Sequence, residues 1–101
     1  MSRVKLLMTW DIQQGRETAY LDFVTSEFAP ALIRLGIELV EGWYTVYGDG
    51  PQILMGAVAE DVETIQKALA SQEWQELKER LLEYVTNFSY KVVPATGRFQ
   101  L

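Results

Sequence analysis

Apolar residues recur along the chain with two different periods, and the points where the period changes divide it into elements. Val4 to Ile12 is rich in apolar and strand-favouring residues and ends at Gln13-Gln14-Gly15, which predicts a first strand followed by a break. From Arg16 to Leu35 the repeat lengthens. Tyr20, Phe23, Val24, Phe28, Ala31, Leu32 and Leu35 recur at spacings of three and four, which puts one apolar stripe on a helix. Pro30 removes a backbone donor and crowds the preceding turn, so a kink or restart is expected there. Gly36 is the expected stop.

Ile37 to Tyr47 is enriched in aromatic and β-branched residues, predicting a second strand. Gly48-Asp49-Gly50-Pro51 carries an Asp-Gly hairpin signal, and Gln52 to Ala59 returns as the third strand. Asp61 can cap a helix through Val62, Ile65 and Leu69. Ser71 can cap another, with Trp74, Leu77, Leu81 and Val85 on its apolar stripe and Glu76 and Arg80 paired on its wet side. Asn87 is expected to end that helix, Phe88 to Val93 to form the last strand, and Pro94 to stop it. The order strand, helix, strand, strand, helix, strand predicts an α+β fold, the ferredoxin-like sandwich (βαββαβ), whose four antiparallel strands carry two helices on one face. No linker divides residues 1–101, so a single domain is expected.

The strands themselves raise a difficulty. In the second, Ile37, Leu39, Glu41, Trp43, Thr45 and Tyr47 alternate with Glu38, Val40, Gly42, Tyr44 and Val46; in the third, Ile53, Met55, Ala57 and Ala59 alternate with Gln52, Leu54, Gly56 and Val58. Both faces of both strands are largely apolar, whereas a sheet with one wet face alternates cleanly. Two helices cover one face. A second copy of the chain, packing sheet against sheet in a homodimer, is the simplest cover for the other.

Composition narrows the chemistry. The 101 residues contain no Cys and no His, which excludes disulfides, thiolate nucleophiles, Cys/His zinc sites, His-ligated haem and any triad built on imidazole. A formal charge of -5 without a cluster of Lys or Arg argues against nucleic acid and anionic membranes as partners. The short apolar run Leu6-Leu7-Met8 is too brief for a signal peptide and no segment approaches the length of a membrane span, so a cytoplasmic chain is expected. No carboxylate spacing of the Asp-rich loop type suggests a metal site, and no cofactor is expected.

The long helix running to Phe28-Ala29-Pro30, the Ser71-Gln72-Glu73-Trp74 helix start and Phe88-Ser89-Tyr90-Lys91-Val92-Val93 resemble, together with the element order, the dimeric α/β-barrel superfamily over nearly the whole chain. That resemblance implies a homodimer whose two sheets form a barrel with a cleft in each half. The superfamily contains cofactor-independent monooxygenases acting on phenols or quinols, lactone-forming isomerases and haem-degrading or haem-peroxidase branches. The absence of His departs from the haem-binding branches. The fold therefore carries no single activity.

The candidate ligand-binding residues are aromatic. Trp10, Trp43, Tyr44 and Tyr47 could line a cleft for a flat apolar or aromatic molecule, while the same rings could equally fill a core or a subunit interface. Among polar groups, Glu41 stands out because it is expected on a face with Leu39 and Trp43, where a carboxylate must reach water or find a partner. Asp11, Glu60 and Asp61 have structural explanations at element ends. Three functions follow: a small-molecule binding protein; a cofactor-independent monooxygenase in which Glu41, Tyr90 or Asn87 is the candidate catalytic group; and a purely structural or interaction protein.

Overall fold

The computed structural model describes residues 3–45 and 50–95. Tyr47 and the turn residues Gly48 and Asp49 lie outside them. The elements are β1 (Val4–Ile12), α1 (Glu17–Phe23), a π-helical turn (Val24–Phe28), α2 (Ala29–Arg34), β2 (Glu38–Tyr44), β3 (Ile53–Ala59), α3 (Val62–Leu69), α4 (Gln72–Leu81) and β4 (Val85–Pro94). The four strands form one antiparallel sheet in the order β2-β3-β1-β4, the ferredoxin-like arrangement expected. The first strand has the expected bounds, and the last begins three residues earlier than Phe88.

Pro30 does not break the long helix. Backbone angles stay right-handed helical at Phe23, Val24, Phe28 and Ala29, and the Ala29 N–H donates to the carbonyl of Val24, one residue further back than in an α-helix. A wide turn of this kind accommodates the irregularity at the residue that has no donor. The helix stops at Gly36, whose φ is +85°. Ile37 N–H donates to Leu32 O at 2.9 Å and Gly36 N–H to Ile33 O at 3.0 Å, the pair of bonds that closes a helix on a left-handed glycine. The two shorter helices start as their sequences suggest: Asp61 Oδ1 accepts from Thr64 N–H at 2.8 Å and Ser71 Oγ from Trp74 N–H at 3.1 Å. Arg80 pairs with Glu27 of the π turn, and not with Glu76, which takes a hydrogen bond from Gln72.

All helices pack on one side of the sheet. From β1, Val4, Leu6, Met8 and Trp10 point into this core, meeting Phe23, Phe28 and Leu32 from the first helical segment and Ile65, Trp74, Leu77 and Leu81 from α3 and α4. Two bulges decide which side chains join them. In β4, Trp10 faces two residues, because the pairing shifts between Thr9↔Ser89 and Asp11↔Thr86. The extra residue is Asn87, with φ of 57°; it belongs to the strand and does not end the helix. In β2, the shift between Leu39↔Ala57 and Glu41↔Gly56 leaves Val40 as the extra residue. A bulge inverts the alternation beyond it, so Leu39 faces the helices while Glu41 and Trp43 face the opposite side. The expectation that these three share a face fails for that reason.

The stop at Gly36 is testable. A β-carbon there would lie 2.9 Å from Thr64 Cγ2 of α3 as well as requiring a left-handed backbone, so Gly36→Ala should destabilise the fold by about 1–2 kcal/mol. Urea denaturation followed by circular dichroism measures it; a change within error would mean that neither constraint matters.

Candidate functional site

The side of the sheet away from the helices presents a grid of side chains that can be read from the pairing registers. One row runs Glu38, Val58, Lys5, Val93; the next Glu41, Gly56, Leu7, Lys91; the next Trp43, Leu54, Thr9, Ser89. The middle of this open face is apolar, and among the described residues no helix packs over it. A depression of about 320 Å³ lies there, lined by Leu7, Thr9, Leu54, Ser89, Tyr90 and Lys91.

Beside that depression sits an ion pair. Lys5 Nζ donates to Glu41 Oε1 at 2.7 Å, and the two side chains are only 14% and 21% exposed. They come from strands that are not neighbours, so the contact must cross β3. It crosses at Gly56. A β-carbon at that position would lie 2.7 Å from both Glu41 Cγ and Oε1, so the missing side chain provides the channel in which the carboxylate lies. Lys5 was not foreseen as a site residue. The available signal was a charge on the same strand face as Leu7, opposite a strand whose only glycine is Gly56.

The structure separates the other candidates. Trp10 is fully buried on the helix side, where its indole N–H donates to Tyr20 Oη at 3.0 Å and its ring lies 6.0 Å from that of Phe88, nearly parallel. Burial holds the Tyr20 hydroxyl above the usual tyrosine range, opposed by the Trp10 hydrogen bond. Trp43 lies on the open face, 54% exposed, opposite Leu54. Tyr44 pairs with Ile53 and so belongs to the helix side; its hydroxyl accepts from Gln52 Nε2 at 3.1 Å. Tyr90 also turns to the helix side, edge-on to Trp74 with centroids 6.5 Å apart. Of the aromatic four, Trp43 is the described residue that borders the open face.

Asn87 is committed elsewhere. Its Nδ2 donates to Asp11 Oδ2 at 2.9 Å, while Asp11 Oδ1 accepts from the Gln52 N–H at 2.8 Å and Gln52 Oε1 accepts from the Ile12 N–H at 2.7 Å. This network ties the bulge of β4 to the end of β1 and the start of β3. The Asn87 amide, followed by the Gln52 N–H, holds the Asp11 carboxyl below the usual aspartate range. Asp61 is lowered in the same direction by its capping bonds to Thr64.

Two outcomes follow. Gly56→Ala should push Glu41 off Lys5 and lower stability by about 1 kcal/mol, whereas the same change in a Glu41→Ala background should cost much less; equal costs in a double-mutant cycle by urea denaturation would mean that the channel does not hold the pair. The depressed pKa of Asp11 gives stability that is present above the ordinary aspartate range, about pH 4, and is lost as pH falls through the folded-state value. Asp11→Asn should therefore flatten the acid limb of the melting temperature between about pH 5 and pH 2, leaving the share due to Asp61; an unchanged limb would remove Asp11 from that role.

No family model matches the chain, and no curated protein matches it. Solved structures do. A NIPSNAP-like domain protein from Burkholderia xenovorans superposes with a TM-score of 0.68 at 18% identity, over 99% of this chain and 91% of that one. A dimeric protein of unknown function and ferredoxin-like fold from Bacteroides fragilis gives 0.61 at 12%, over 94% and 98%. A protein from Bacteroides thetaiotaomicron, described as conserved, of unknown function and a possible oxidoreductase, gives 0.68 at 7%, over 93% and 98%. At such identities the likeness is one of fold: the chain shares the ferredoxin-like architecture of NIPSNAP-type and dimeric proteins.

Proposed function

We infer that the chain works as a homodimer whose open sheet faces meet and enclose a cleft that binds a small, largely apolar molecule. The observation that carries this reading is the depression on the open face, floored by Leu7 and Leu54 and bordered by Trp43, with no helix over it among the described residues. An apolar surface of this kind in water calls for a partner, and a sheet packs best on another sheet at about 10 Å. A second copy supplies one with the same shape and period. The dimeric description of the Bacteroides fragilis neighbour supports the same assembly. Ligand-sized space between packed sheets is a common place for an apolar site.

A redox reading is the second, supported by the description of one neighbour as a possible oxidoreductase. A cofactor-independent monooxygenase would have to orient an electron-rich phenol or quinol and stabilise its anion. Of the three candidate catalytic groups, Glu41 borders the open face, whereas Asn87 is engaged by Asp11 and Tyr90 packs toward Trp74. That reading rests on Glu41. Oxygen uptake with a hydroquinone substrate, compared between the natural protein and Glu41→Gln, tests it.

Assembly is the first thing to measure. Light scattering behind a sizing column at micromolar concentration should give twice the chain mass, and Leu54→Lys, which sets a charge in the middle of the proposed interface, should give a monomer with unchanged far-ultraviolet circular dichroism. A natural chain that elutes as a monomer would overturn the dimer.

A further inference from the structure

Lys5 and Glu41 pose a question that the apolar cleft does not answer. A largely desolvated ion pair gains little stability over a pair of apolar side chains of similar size, because the attraction roughly repays the loss of hydration. Here it is also costly in sequence terms, since it obliges β3 to carry Gly56, whose β-carbon would collide with Glu41. Gly56 pairs with Leu7, and Leu7 floors the depression. The carboxylate therefore lies over the strand position next to the depression.

The geometry points to the Lys5–Glu41 pair as the polar anchor of the cleft, selecting neutral, mostly apolar molecules that carry one hydrogen-bond donor, a hydroxyl or an N–H. This deepens the proposed binding function and rests on it. Glu41 Oε1 is taken by Lys5, while Oε2 accepts from none of the described residues. A carboxylate oxygen at the edge of an apolar floor accepts a donor strongly, since a hydrogen bond to a charged acceptor is worth more than one between neutral groups. Lys5 fixes the carboxylate and offsets its charge, so Glu41 can accept from a neutral donor without calling for a cation. Leu7, Leu54 and the exposed Trp43 offer the ligand's apolar body its contacts.

Indole and 1-methylindole form a matched pair of probes, alike in size and apolar surface, of which only the first donates a hydrogen bond, and neither ionises near neutral pH. Binding to the assembled protein is measured by isothermal titration calorimetry and by ligand-observed saturation-transfer NMR. The expected result is that indole binds about tenfold or more tightly than its methyl derivative. In the double variant Lys5→Met with Glu41→Leu, which leaves no unpaired charge, the two should bind alike at the strength of 1-methylindole. Equal binding of the two probes to the natural protein would overturn the anchor while leaving the apolar cleft standing. Binding of neither would overturn both. A preference that survives unchanged in the double variant would assign the donor's partner to another group and overturn the anchor; the preference in the natural protein needs no variant to be read.

Discussion

Trp10 holds the sheet to its helices, and most of the architecture can be traced from its contacts. Its ring meets Phe88 nearly parallel and Tyr20 and Phe28 edge-on, all at centroid distances of about 6 Å. The indole N–H, which could not be left bare in an apolar core, is satisfied by Tyr20. Satisfying it fixes the rotation of the first helical segment about its own axis, and stacking on Phe88 fixes β4 against β1. Val85 and Phe88 are three residues apart on one strand, yet both join the core. An uninterrupted strand cannot do that. The bulge at Asn87 supplies the extra residue, and the Asp11 and Gln52 bonds around it secure the distortion.

The same device operates at the other edge of the sheet. β2 and β4 are the two edge strands, and each carries one bulge. Bulges favour edges because only one ladder is disturbed there, and a distorted edge is also a poor template for unwanted pairing. At β2 the extra residue Val40 has a chemical result: it delivers Leu39 to the core and Glu41 to the open face, where Lys5 meets it across Gly56. Edge geometry thus determines where the charged pair of the open face can be.

Much of the fold was legible because its signals are local. The caps at Asp61 and Ser71, the helix stop at Gly36 and the strand Val4 to Ile12 depend on residues within a few positions of one another, and each is found where the sequence puts it. The faces of the edge strands were not legible, because a bulge is defined by the partner strand and alternation is counted without one. Asn87 was misread as a helix end for the same reason: its left-handed conformation suits either position. Of the candidate site, Glu41 and Trp43 were recognised as unusual, but Lys5 and Gly56 acquire meaning only when β1 and β2 are seen on either side of β3. The grouping of Trp10 and Tyr44 with Trp43 drew on both faces of the sheet, because alternation within a strand does not say which face is left open by the helices.

The π turn between α1 and α2 bears on how this chain can change length. Tyr20, Val24, Phe28 and Leu32 all reach the core at steps of four residues, and in an α-helix of 3.6 residues per turn each such step overshoots by about 40°. Three steps would swing the stripe through roughly a third of a circle. The widened turn absorbs that drift, acting as a phase corrector that lets a repeat of four run straight. Such a turn is equivalent to one residue inserted into an ordinary helix. Removing a residue from Val24–Phe28 would not merely shorten the helix: it would return the backbone to regular winding and rotate Tyr20 by about 100° away from the Trp10 indole.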